Sequence, residues 1–145
     1  MEQHHKPIND KIYLYILKTI MVLSFLLICS INQDGLPVFI YLLMVVIEFF
    51  NSFNYSNIGI NWEAGLLPIL VMGTLIVFCS NIRYGNFKIL LLCFIALLFF
   101  LISESGMLNI KNYISISYGF LVPIIVFILT STLLIIKVFK IKEKQ

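Results

Sequence analysis

A lysine and a glutamate stand inside two neighbouring apolar runs, and their spacing places them at one depth. The chain turns at Asn32-Gln33-Asp34-Gly35; Lys18 lies about 15 residues before the midpoint of that turn and Glu48 about 15 after it. On an antiparallel helical hairpin the two would be level to within about 1.5 Å. Each charge alone in a bilayer costs about 2.5–3.5 kcal/mol on insertion scales, so a level cation and anion can offset each other. Tyr41, Glu48, Ser52 and Tyr55 follow one another at steps of seven, four and three residues, which is one helical face. An ionisable group on such a face is a candidate for gating a cation or proton, or for holding a partner helix. The bland reading stands beside it: Lys18 snorkels to its own interface and Glu48 reaches the head groups.

The elements that would position these groups are apolar helices. Of 145 residues, 61% are hydrophobic and 12% charged, against about a quarter charged in an ordinary soluble domain. Five apolar runs follow one another: Ile12–Ile31, Leu36–Phe50, Ala64–Ser80, Phe87–Ser103 and Ile114–Ile136. Backbone groups in lipid must be satisfied within the segment, and the runs lack the alternation of a barrel strand. The expected fold is therefore all-α, a polytopic integral membrane bundle forming one domain over 1–145. Helices are expected near 12–31, 36–53, 64–80, 87–103 and 114–137. The second is short, at ~22 Å against a ~30 Å hydrocarbon core, and reads as crossing or re-entrant. The first has lysines before it, as a signal peptide does, but no small-x-small cleavage site, and is expected to be retained.

Basic residues disagree with five crossings. Lys6 and Lys11 precede the first run, Arg83 and Lys88 flank the third-to-fourth connection, and Lys137, Lys140, Lys142 and Lys144 close the chain. Lys111 alone follows the fourth run. Lysine and arginine in short loops favour the cytoplasmic side. Five crossings split these charges six to three; four crossings, with Leu36–Phe50 not crossing, give eight to one. The turn chemistry argues the other way. Gly35 is able to take φ > 0 and Pro37 suits the first turn of a helix, so the segment fits a hairpin whose second arm descends along the first. The expectation is five membrane helices with a cytoplasmic C-terminus.

Other residues have structural and functional readings side by side. Gly73 permits close helix approach, and Pro123 removes a donor in mid-helix and should kink it, beside Thr130-Ser131-Thr132. Together they suggest a gate or simple packing. Tyr55, Trp62 and Glu63 belong to a polar, aromatic segment, 51–63, that suits the membrane interface and a protein contact. Cys29, Cys79 and Cys93 share no redox or metal spacing, and His4 and His5 have no further ligands beside them. No metal, cofactor, catalytic residue or nucleic-acid partner is expected. The expected partners are the lipid bilayer and either further copies of the chain or another membrane protein. The reading that follows is a non-enzymatic multi-pass protein of a bacterial inner membrane working by protein–protein contact: a membrane subunit, a sensor, or an immunity or phage-defence protein. A small oligomeric channel or transporter using the Lys18/Glu48 pair is the alternative.

Overall fold

The computed structural model describes residues 7–30, 35–54, 62–84, 86–105 and 116–143, with side chains described except at 7–11, 64, 83–84 and 141–143. It is all-helical: α1 Pro7–Leu27, α2 Val38–Ser52, α3 Trp62–Tyr84, α4 Phe87–Glu104 and α5 Tyr118–Glu143. Within α3, α4 and α5, the stretches Gly65–Ile82, Phe87–Glu104 and Tyr118–Lys140 are long and apolar enough to cross a membrane. The apolar parts of α1 (Ile12–Leu27) and α2 are shorter. The surface matches this reading: Ile69, Leu92 and Phe99 are 68%, 69% and 71% exposed, an apolar exterior that lipid tolerates and water does not.

Helix directions follow from the contacts. Lys137 sits 4.6 Å over the Tyr13 ring, while the Cys29 amide donates to the Gly119 carbonyl at 3.2 Å. Helices α1 and α5 are therefore antiparallel along their whole lengths. We call the end with Cys29 and Gly119 the head and the opposite end the tail. Helix α4 runs parallel to α1, since Phe25 meets Phe100 and the Ser30 hydroxyl donates to the Ser105 carbonyl. Helix α3 runs antiparallel to α4. Glu63 and Glu104 share the head end of one groove, and Val77 and Leu92 share another groove nearer the tail.

Helix α2 does not descend. Its first residue donates from the Val38 amide to the Ile28 carbonyl at 2.8 Å, at the head end of α1. One turn on, Tyr41 lines a cavity with Glu104 at the head end of α4. Near its last turn, the Phe49 ring packs against Trp62 and over Gly65 at the head end of α3. Both ends of α2 therefore lie at one depth, and the helix runs across the head of a bundle made by α1, α3, α4 and α5. Its Leu43, Ile47 and Phe50, at steps of four and three, form an exposed apolar stripe.

Several sequence expectations are corrected here. The first helix stops at Leu27, not near residue 31, because residues 28–30 leave the helix to bond elsewhere. The Cys29 amide goes to Gly119, and Cys29 and Pro37 form an isolated bridge. Pro37 stands at the N-cap of α2, where its fixed φ of −58° suits the entry and its carbonyl accepts from Ile40 and Tyr41. Gly35 owes its place to close approach, not to a positive φ: a β-carbon there would meet the backbone of Ser30, 2.8 Å from its Cα. Gly73 faces open space, and Gly65 is the α3 glycine that admits a neighbour, with a β-carbon falling 2.6 Å from the Phe49 ring. Helix α3 starts at Trp62, two residues before the apolar run, and continues to Tyr84. Helix α5 starts at Tyr118, where Ser117 Oγ accepts the Gly119 amide in N-cap fashion at 3.2 Å.

The core packs around aromatic rings. Phe25, Phe78 and Phe127 are fully buried, with Phe25–Phe127 centroids 5.3 Å apart and Phe94 6.0 Å from Phe127. Met21, Leu90, Leu97 and Leu134 fill the space between them.

The two glycines give opposite predictions. Gly35→Ala forces a methyl against Ser30 backbone and should cost about 1–3 kcal/mol. Gly73→Ala meets nothing within 4 Å and should stabilise by about 0.5–1 kcal/mol through helix propensity. Unfolding of both variants in mixed detergent micelles measures the difference, and equal effects would contradict the described turn.

Candidate functional site

The polar groups of this bundle gather at its head. Ser30 closes the extended segment after α1, and its hydroxyl donates to the Ser105 carbonyl at 3.1 Å. That contact joins the ends of α1 and α4. Helix α2 lies over it, carrying Tyr41, which stands beside Glu104 and within electrostatic reach of Glu48. Beneath α2 is a cavity of about 270 Å³. Its floor is apolar, made by Ile28, Leu36, Val38 and Leu101, and its polar wall comes from Cys29, Ser30, Tyr41, Glu104 and Ser105. Ser105 is 5% exposed and its Oγ is buried with no hydrogen-bond partner among the described residues. A buried hydroxyl left so can still donate one hydrogen bond and accept two.

Helix α3 contributes a third carboxylate. Glu63 stands exposed in its first turn, where the helix dipole favours an anion. It shares with Glu104 the mouth of a groove of about 510 Å³ between α3 and α4. Trp62 beside it is exposed and leans on Phe49. Tyr55 lies outside the described residues.

Lys18 is elsewhere. Its ammonium donates to the Cys79 carbonyl of α3 at 2.7 Å, toward the tail. Gly65, the level reached by Phe49, is fourteen residues from Cys79 along α3, or ~21 Å. Since Phe49 adjoins Glu48, the expected level pairing of Lys18 with Glu48 does not occur. It required α2 to descend along α1, and α2 instead crosses the head. Glu48 is exposed on α2 and has interactions of its own. Ser52, on the same face of α2, donates to the Phe49 carbonyl at 2.6 Å.

The suggested gate on α5 is a packed element. Thr130 Oγ1 donates to the Val126 carbonyl at 2.7 Å and Thr132 Oγ1 to Ile128 at 2.7 Å, each bonding its own helix. Pro123 lacks the amide that would bond Gly119, four residues earlier, and that carbonyl accepts from Cys29, just past the end of α1, instead. The proline thus supplies an inter-helix bond. Ser131, fully buried with an unpartnered Oγ, is the one polar atom left in this stretch among the described residues.

Glu104, Ser105 and Ser30 were not among the residues singled out from sequence. Ser103-Glu104-Ser105 ends an apolar run and reads as an ordinary interfacial anchor, and nothing in it announces Tyr41, 63 residues earlier. Among the described residues, no three His, Cys, Asp or Glu side chains gather closely enough to hold a metal ion.

The separation of Lys18 from Glu48 makes a quantitative prediction. In a double-mutant cycle of Lys18→Met and Glu48→Gln, the coupling should be near zero, because sites beyond about 7–10 Å add within about 0.3–0.5 kcal/mol. Tyr41→Phe with Glu104→Gln should instead couple by about 0.5–1 kcal/mol or more, as neighbouring polar side chains do. Reversible unfolding in micelles measures both cycles, and a strong Lys18/Glu48 coupling would refute the placement of α2.

No family model matches this chain, and no curated protein or solved structure is similar to it.

Proposed function

We propose that this chain is a non-enzymatic, multi-pass membrane protein with four crossings, acting through contacts with another membrane protein. The observation that carries the reading is the filled axis of the bundle. Phe25, Phe78, Phe127 and Leu134 close the space between the helices of one copy, and the lysine that was to line a pathway bonds a helix carbonyl instead. Glu63, Glu104 and Glu48 are exposed on the head surface and at the groove mouth, where a neighbour has access.

Four crossings suit both length and charge. Helix α1 is in register with α5 from tail to head, so it crosses wherever α5 does, with ~24 Å of apolar helix from Ile12 to Leu27. Helix α2 then lies in the interface plane with Leu43, Ile47 and Phe50 toward the acyl chains, as an amphipathic interfacial helix does. In sequence, Lys6 and Lys11 stand near the start of the chain, Arg83 and Lys88 flank the α3–α4 connection, Lys137, Lys140, Lys142 and Lys144 close the chain, and Lys111 alone falls between α4 and α5. By the rule for short loops the tail faces the cytoplasm, with both termini there, and the head faces outward in a bacterial inner membrane.

Reconstitution tests the class. Vesicles holding the purified chain should pass K⁺, Na⁺ and H⁺ no faster than empty vesicles. A flux that depends on protein and is abolished by Glu48→Gln would overturn the contact reading in favour of transport between copies.

A further inference from the structure

The flank formed by α3 and α4 carries a long groove that nothing among the described residues covers. Its upper part, of about 510 Å³, opens between Glu63 and Glu104 at the head, with Leu66, Leu70 and Phe99 on its walls. A second hollow of about 260 Å³ continues it toward the tail, sharing Leu70, Thr74 and Ala96 with the first and ending at Val77 and Leu92. From Glu63 to Val77 the flank is fourteen residues long, or ~21 Å of helix. Small groups stand midway: Ala96 is exposed, and a β-carbon at Gly73 would touch nothing.

Charge decides what fits. Two carboxylates stand at the mouth, and Tyr41 lies beside one of them, Glu104, in the cavity on its opposite side. Among the described side chains, Lys88, Lys137 and Lys140 are at the tail, and Lys18 is committed to Cys79 on the tail half of α3. A second, parallel copy of this chain therefore brings no described helix cation to the head-end mouth. An acyl chain would fill the apolar walls but leave both carboxylates unpaired. A helix needs the midway gap, since small residues let backbones approach in a membrane, where packing rather than hydrophobic exclusion drives association.

We propose that this groove receives a transmembrane helix of a different protein, one carrying a lysine or arginine about one turn inside its outer end, with Glu63 and Glu104 as counter-ions. The proposal rests on the contact reading above and names the site and chemistry of the partner. Tyr41 acts as the positioning residue that aims Glu104. Charge pairing sets the register of the incoming helix, and the Gly73/Ala96 gap sets its distance.

The test uses the full chain in phosphatidylcholine vesicles and three labelled Leu/Ala transmembrane peptides, read by energy transfer. One peptide carries a single Lys near one end, the second Gln at the same place, the third Lys at mid-length. The end-Lys peptide should associate about tenfold more tightly than the other two, a modest return for pairing a charge in the bilayer. Glu63→Gln with Glu104→Gln should erase that preference while leaving the Gln peptide's association unchanged. Gly73→Leu, which meets open space within the chain, should weaken all three. Equal association of the end-Lys and Gln peptides, or a preference that survives both Gln variants, overturns the proposal. So does a Gly73→Leu chain that binds peptide normally but loses self-association, since a second copy would then be the occupant. Failure here alongside absent ion flux removes the groove as the site and leaves the contact reading standing.

Discussion

One backbone hydrogen bond organises the head of this bundle: the Cys29 amide to the Gly119 carbonyl, 3.2 Å. A backbone group inside a bilayer has no water to turn to, so a carbonyl freed by proline must find a donor or carry a cost of several kcal/mol. Pro123 frees the Gly119 carbonyl, and the residue that satisfies it must leave its own helix to do so. Helix α1 ends two residues earlier, at Leu27, and Ile28 turns its carbonyl to Val38. Gly119 has no side chain to obstruct this approach, and a β-carbon there would sit 3.2 Å from Cys29 Sγ. The chain is thereby tied to α5 at the point where it would otherwise turn back.

The consequence is directional. Tied at Cys29 and closed over Ser30 by Gly35, the chain enters α2 across the head, and Tyr41 and Phe49 both find partners at that depth. Two results follow from the same turn. Lys18 loses Glu48 as a neighbour and bonds a carbonyl of α3. The carboxylates Glu63 and Glu104, with Glu48 on α2, collect at the head, while the exposed lysines of α4 and α5 collect at the tail. A bundle polarised in this way meets anions and cations on different sides of the membrane.

Much of the fold was legible in the sequence. Lengths and hydropathy of five runs placed five helices, and the loop cations singled out Leu36–Phe50 as the run out of keeping, the segment whose helix lies across the head. The conflict came from reading Gly35 and Pro37 as a hairpin turn. Both residues do serve a tight connection, but their local chemistry does not state the angle at which the next helix leaves. That angle depends on Gly119 and Pro123, more than eighty residues later, and such a pairing has no periodic signature. The candidate site was half legible for the same reason. Tyr41 and Glu63 stood out as polar groups in or beside apolar runs. Glu104 reads as a loop anchor in the sequence, whereas the turn brings Tyr41 beside it, and Gly73 reads as a packing contact, whereas it meets open space.

Side-specific labelling of single cysteines at Leu36 and Asn54, in a chain with Cys29, Cys79 and Cys93 replaced by Ala, tests the placement of α2 most directly. Both residues are exposed and they bracket the helix. A membrane-impermeant maleimide added outside intact cells should label both positions, and should label a cysteine at Asn86 only after permeabilisation. Labelling of one of the pair and protection of the other would mean that α2 crosses the membrane, and the account of the head end would be wrong.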